Sequence, residues 1–183
     1  MWRSVASLIL LCAITVFAQS REGSGKVFLV RHAEKVSDAT DALLSKRGEQ
    51  RATCLAQTLR DAHIGAIYAT PVKRTQQTAG PLAKNLGIQT NVIKADDTAV
   101  LVAKVKQDAL SKNVLIVGHS DTLRAVLSQM GVSGAPAIGR NEYDLLFLIS
   151  NSEGKADLTV LHYCPSSTQP LSTSGPEEMR RMR

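Results

Sequence analysis

Val27-Phe28-Leu29-Val30-Arg31-His32 and Val114-Leu115-Ile116-Val117-Gly118-His119 decide the fold. Each is a short apolar run that reads as a strand and runs into a histidine. In an open α/β sheet, ligands bind in the crevice outside the carboxyl ends of the strands. If these two strands are neighbours, both imidazoles reach one crevice from distant parts of the chain, and Arg31 arrives with the first of them. A third segment, Ile67-Tyr68-Ala69-Thr70-Pro71-Val72-Lys73-Arg74, brings a second arginine to the same edge. Two His and two Arg gathered there make a site for a phosphate dianion.

Working outward from these segments, strands and helices alternate in a doubly wound pattern. Strands are expected at 26–30, 66–69, 89–93 and 113–117. Helices are expected at 45–62, 70–87, 98–110 and 122–130. Ser45 is a good N-cap for the first helix, and its apolar positions Ala52, Leu55, Ala56, Leu59 and Ala62 recur at helical spacing. Thr70 reads as the N-cap of the second helix, with Pro71 at its first position and Gly87 just past its end. A flexible Gly/Pro-rich stretch at 131–139 leads to two last strands, 144–149 and 156–163. Asn151-Ser152-Glu153-Gly154 between them is a hairpin signal. The expected fold class is α/β: a three-layer α/β/α sandwich with a mostly parallel central sheet.

The ends of the chain read differently from its middle. Arg3 followed by the mostly apolar run Val5–Phe17, with a small residue at Ala18, fits a secretory signal peptide over 1–18. That run is shorter than the roughly 20 residues a membrane span needs. Leu11 directly before Cys12 argues against a lipoprotein cysteine. The expectation is an exported domain over 19–164, periplasmic or extracellular, without stable membrane insertion once the signal is cleaved. Residues 165–183 are Ser/Thr/Pro-rich, end in charges and read as a disordered tail. The 183-residue chain carries a formal net charge of +6, but its basic residues are scattered and its aromatics amount to 4%, so no nucleic-acid partner is expected. Cys54 and Cys164 fall in the exported part, either bridged or as two independent thiols.

Arg31-His32-Ala33-Glu34 resembles the Arg-His-Gly-Glu signature of the histidine phosphatase superfamily, in its phosphoglycerate-mutase-like branch, with Ala replacing Gly at the third position. Thr70-Pro71-Val72-Lys73-Arg74-Thr75 is similar to that family's second arginine motif, and Gly118-His119-Ser120 to its second histidine motif. The resemblance spans about Lys26 to Tyr163. It implies a phosphatase that hydrolyses a phosphomonoester or phosphoramidate through a covalent phosphohistidine on His32, with no cofactor and no metal. Arg31, Arg74, His119 and Ser120 would hold the phosphate, and Glu34 would orient the site. Asp121 resembles, displaced by one place, the His-Asp pair of the superfamily's other branch; it reads equally as a proton donor or as a cap of the following helix. Asp96 and Asp97 stand where related enzymes carry an acid, and they suit helix capping. The short chain leaves no long insertion there, which implies an open, shallow pocket. The implied partner is a phosphorylated small molecule, a surface glycan or a lipid phosphate; the oligomeric state is not legible. His63 and His162 lack partners in sequence and read as structural.

Two rival readings use the same residues. His32-x-Glu34 and His119-x-Asp121 supply two imidazoles and two carboxylates, a candidate ligand set for a metal-dependent hydrolase. Arg31 and Arg74 argue against it by repelling a divalent cation. The other rival is a non-catalytic phosphate-binding domain.

Overall fold

The computed structural model describes residues 25–152 and 154–164. The expected signal peptide at 1–18 and the expected tail at 165–183 lie outside the described residues. Apolar runs and helical periodicities fold as β1 (Val27–Arg31), α1 (Lys46–Thr58), β2 (Ile64–Ala69), α2 (Lys73–Leu86), β3 (Thr90–Val92), α3 (Thr98–Asp108), β4 (Asn113–Gly118), α4 (Ser120–Gln129), β5 (Leu145–Ser152) and β6 (Lys155–His162). The strands form one sheet in the order β3-β2-β4-β1-β5-β6. β1, β2, β3 and β4 run parallel, and β5 and β6 add an antiparallel edge. The mostly parallel α/β/α sandwich is therefore as expected.

The side-chain alternation of the strands sorts the core into two layers. Val27, Leu29, Val114, Ile116 and Phe147 face one way and bury Val105 of α3 and Leu123 and Val126 of α4. Phe28, Val30, Ile67, Leu115 and Val117 face the other way and bury Leu55 of α1 and Leu82 of α2. β1 and β4 lie side by side with Val27 opposite Val114 and Arg31 opposite Gly118, so both strand-end histidines leave the sheet at one place. The backbone amide of His32 donates to the Gly118 carbonyl at 2.8 Å and closes that junction.

Several boundaries differ from expectation. α1 stops at Thr58 instead of Ala62: beyond it the Arg60 and Ala62 amides bond three residues back, to Gln57 and Leu59, and His63 at φ 51° turns the chain into β2, which begins at Ile64. α2 is not capped by Thr70. Its N-cap position is Val72, which makes no side-chain cap, and Asp41 Oδ1 accepts from the Lys73 amide at 2.8 Å instead. α4 begins at Ser120, with His119 at the N-cap, two residues earlier than its periodicity suggested. Ser45 does cap α1, accepting from the Gly48 amide, and Gly87 ends α2 at φ 67°. Asp97 takes the N-cap position of α3, yet its side chain makes no capping bond. The β5–β6 hairpin closes at Ser152 opposite Lys155, with Gly154 at φ 79°.

Cys54 on α1 and Cys164 just after β6 form a disulfide with their Cα atoms 6.3 Å apart, which decides between the two alternatives left open for them. It closes a loop with a sequence separation of 110. Among the described residues, no helix is long and apolar enough to cross a membrane.

Candidate active site

The crevice is built from four places where the chain leaves a regular element. β1 ends in Arg31 and His32. α2 places Arg74 at its second residue, β4 runs into His119, and the segment before β5 carries Tyr143. The His32 and His119 rings meet edge to face with centroids 5.2 Å apart, and the Tyr143 ring lies 6.0 Å from His32. Arg31 stacks its guanidinium over Tyr143, 4.4 Å from the ring centroid.

His32 is almost fully buried. Its Nδ1 lies 2.8 Å from the Ala33 carbonyl oxygen. A carbonyl only accepts, so Nδ1 carries the proton and Nε2 keeps its lone pair. Burial pushes the His32 pKa down to about 4; the Ala33 hydrogen bond opposes this, and His119, Arg74 and Arg31 reinforce it. The ring is therefore neutral near pH 7, with a defined tautomer.

His119 is held just as specifically. Arg74 reaches its Nδ1 at 3.4 Å, and since a guanidinium only donates, Nδ1 is the acceptor. Nε2 then donates to Thr70 Oγ1 at 3.2 Å. Thr70 then donates to Thr75 Oγ1 at 2.9 Å, and the Thr75 hydroxyl finds acceptors in the Val72 and Thr70 carbonyls at 2.7 and 2.9 Å. Both threonines are buried, so the relay runs in one direction, away from His119. Burial lowers the His119 pKa first, Arg74 and Arg31 lower it further, and Asp121 alone acts upward.

The two arginines are each anchored on one side and open on the other. Arg31 Nη1 donates to the carbonyls of Gly139, Arg140 and Glu142 at 2.9, 2.9 and 3.2 Å. Arg74 Nη1 donates to the Thr40 carbonyl at 2.6 Å. Yet Nε of both arginines is buried without any hydrogen-bond partner, as is Thr122 Oγ1 in the first turn of α4. Neither Arg31 nor Arg74 pairs with a carboxylate among the described residues. The histidine pair is thus flanked by two guanidinium groups that each keep a buried donor without a protein acceptor.

The remaining expected residues stand apart. The Glu34 carboxylate turns towards α1, where Arg51 grips both of its oxygens at 2.8 to 3.0 Å and Arg47 adds a contact at 3.1 Å. Burial raises its pKa, but the Arg51 hydrogen bonds and the two positive charges outweigh this and hold it below the ordinary carboxylate value. Glu34 is thus a brace and not a catalytic group. Gly48 makes the brace possible, since a Cβ there would collide with the Glu34 carbonyl. Asp121 is exposed and its Oδ1 accepts from the Thr122 amide at 2.9 Å. It is the second residue of α4, whose N-cap position belongs to His119, so it is not the cap of that helix. Ser120 opens α4, whose first amides have no intrahelical acceptor. Asp96 and Asp97 are exposed on the β3–α3 connection and hydrogen-bond none of the four clustered residues. The four-residue metal set is not assembled, because Glu34 belongs to Arg51; no group of three or more His, Cys, Asp or Glu is gathered for a metal among the described residues. Ala33 is fully buried against Leu44 and Ala52, so the departure from Gly is absorbed by a small satellite core. His63 bonds the Asp61 carbonyl and His162 the Asp144 carboxylate, both as structural residues.

Sequence reasoning missed Tyr143, the Thr70–Thr75 relay and the carbonyls of 139–142. Only Tyr143 left a signal, as a lone aromatic directly before the last pair of strands.

The model of the histidine phosphatase superfamily (branch 1) matches residues 27–97, which include Arg31, His32 and Arg74. A curated relative, phosphoserine phosphatase 1 of Hydrogenobacter thermophilus, is 40% identical over 78 residues, a match covering 39% of this chain and 36% of that protein. Solved structures share the fold over most of the chain. Mycobacterial glucosyl-3-phosphoglycerate phosphatase gives a TM-score of 0.60 at 14% identity, covering 78% of this chain and 100% of that one. Alpha-ribazole phosphatase from Shigella flexneri gives 0.61 at 16%, covering 75% and 96%. Phosphoserine phosphatase from Entamoeba histolytica, in complex with 3-phosphoglyceric acid, gives 0.58 at 16%, covering 78% and 98%. At these identities the likeness to solved structures is one of fold. The family model thus matches the segment that carries Arg31, His32 and Arg74, and the chain spans about a third of the length of the curated relative it matches.

Proposed function

We propose that this protein is a phosphatase that hydrolyses a phosphorylated small molecule through a phosphohistidine on His32. The observation that carries the reading is the conjunction of a neutral His32, its Nε2 lone pair free, with two buried and unpartnered guanidinium Nε donors beside it. Phosphoryl transfer asks little covalent chemistry of a protein; it asks for positioning and for donors at the equatorial oxygens. Arg31 and Arg74 supply those donors. His119, fixed by the relay, presents a ring edge beside the transferring group, and the open amides at the start of α4 add donors of their own.

His32 Nε2 attacks phosphorus as the bond from phosphorus to the leaving oxygen breaks, and that oxygen departs with the electron pair. Water then attacks the phosphohistidine, the P–N bond breaks, and inorganic phosphate leaves with His32 neutral again. Glu34, Asp38 and Asp41 are all held below the ordinary carboxylate value, the last two chiefly by hydrogen bonds from Lys35 and Lys73. None of them holds a proton to give near neutrality. Leaving groups that depart readily are therefore favoured: aryl phosphates and phosphoramidates over simple alkyl phosphates.

Rapid mixing with p-nitrophenyl phosphate and an alkaline quench should trap a phosphoryl group on His32, read by peptide mass spectrometry. His32→Ala should reduce turnover to background while circular dichroism and the thermal midpoint stay those of a folded protein. Retained turnover in that variant would remove the nucleophile from the scheme and leave the phosphate-binding reading. The same proposal sets the protein to work outside the cytoplasm. The signal-like segment at 1–18 and the Cys54–Cys164 disulfide, a bond that persists in oxidising compartments, support this. Export of a reporter fused behind residues 1–18 tests it.

A further inference from the structure

Next to the His/Arg cluster lies a second feature that phosphate binding does not use. A cleft of about 340 Å³ runs between the segment after β1 and the segment before β5. Lys35, Ser37 and Asp38 form one wall, and Arg140, Asn141 and Tyr143 form the other. Arg31 lies at their junction, so the cleft opens directly beside the proposed phosphate position.

Both walls are built and held. The first is closed on itself by the Lys35–Leu44 bridge and by the Val36 amide on the Leu43 carbonyl at 3.0 Å. The second is fastened by Arg31 Nη1 to three of its carbonyls and by the Gly139 amide to Glu142 Oε2 at 2.6 Å. The volume is at the small end of ligand pockets, which run from about 300 to 1,000 Å³. No aliphatic side chain lines the cleft.

Its charges are unequal. Lys35 and Arg140 face a single carboxylate, Asp38, at 2.7 and 3.9 Å. Asp38 and Arg140 are 81% and 87% exposed, so the link between the walls is weak and easily replaced by a better acceptor. With Arg31 included, the cleft carries three cations and one anion.

We infer that this cleft receives the leaving group of the substrate, and that the leaving group is small, polar and itself anionic, its negative group taken up between Lys35 and Arg140. The inference rests on the phosphatase reading and narrows it: a lipid phosphate has no apolar wall to rest on here, and a neutral sugar leaves the two cations unmatched.

The test compares 4-carboxyphenyl phosphate with 4-carbamoylphenyl phosphate on the purified full chain, with p-nitrophenyl phosphate as reference. The pair differs in one charge and barely in size. The expected result is a preference in kcat/KM of about tenfold for the carboxylate at low salt, shrinking as ionic strength rises. Lys35→Gln and Arg140→Gln should each lower that ratio, their combination should bring it close to one, and Asp38→Asn should raise it. A ratio near one in the unaltered protein, or a preference that survives the double substitution, overturns the assignment of the cleft while turnover of p-nitrophenyl phosphate upholds the phosphatase. Absence of turnover on all three esters overturns both.

Discussion

Arg51 and Arg74 are the same residue type, one in the middle of α1 and the other in the first turn of α2, and they do opposite things. Arg51 is saturated. Its Nε and Nη2 grip Glu34, its Nη1 reaches the Cys164 carbonyl at 3.0 Å, and its guanidinium lies 5.8 Å from the Tyr163 ring. Arg74, like Arg31, is satisfied on one side and left with a buried donor and an unneutralised charge on the other. The comparison separates structure from function by one criterion. An arginine whose acceptors all lie within the protein ties elements together; on the proposed function, the donor left over on Arg31 and Arg74 serves the substrate.

The contrast breaks most visibly at Arg51. Arg51→Ala leaves the shielded Glu34 carboxylate with only the half-exposed Arg47 beside it, and denaturant unfolding should show a loss of about 3 kcal/mol. Replacing Arg51 and Glu34 together by Met and Leu should recover most of it. Arg74→Ala should instead cost stability little but lower kcat/KM for p-nitrophenyl phosphate by about 10²–10³. Inorganic phosphate should raise the thermal midpoint of the unaltered protein and fail to raise that of the variant. Equal loss of stability in the two alanine variants would dissolve the distinction.

Acid sharpens it further. Unfolded His32 takes a proton near pH 6.5, whereas the folded ring refuses one until about pH 4. Its contribution is present above pH 6.5 and is lost as pH falls through the folded value, a decline of about 3 kcal/mol in unfolding free energy. The depressed carboxyl of Glu34 acts in the same sense at lower pH. Bound phosphate should move the His32 midpoint upwards, and NMR titration of the ring with and without phosphate reads both shifts. The smallest effect belongs to Tyr163, whose hydroxyl is buried without a partner on the braced side of the molecule. Tyr163→Phe removes no hydrogen bond and should change stability by less than about 1 kcal/mol, in the favourable direction if at all.

The parts of this site visible in sequence were those coded by local pattern. An apolar strand followed by a histidine needs only a few adjacent letters, and so does Arg74 in the opening turn of a helix. The parts that stayed hidden depend on contacts between distant segments. Thr70 offered itself as a helix cap because threonine before proline usually does so; its hydroxyl went to His119, 49 positions away. Glu34 sat inside the motif and was read with it, while its partner Arg51 lay on an amphipathic helix among other charges. The carbonyls of 139–142 carry no side-chain signature at all, and the Gly/Pro content of 131–139 pointed only to a connection. The disulfide was undecidable for the same reason, since cysteine spacing says nothing about whether two Cα atoms approach.

The place of β1 in the sheet has a consequence for how the molecule comes into being. It is the first strand among the described residues, yet its two neighbours are β4 and β5. A polypeptide emerging from the ribosome delivers Val27–Val30 long before the strands that pair with it, and holds an apolar stretch without strand partners until more than half of the remaining sequence has followed. The proposed nucleophile is therefore translated early and completed late. On the proposed function, a chain that has not yet joined β4 to β1 would be inert towards phosphate esters.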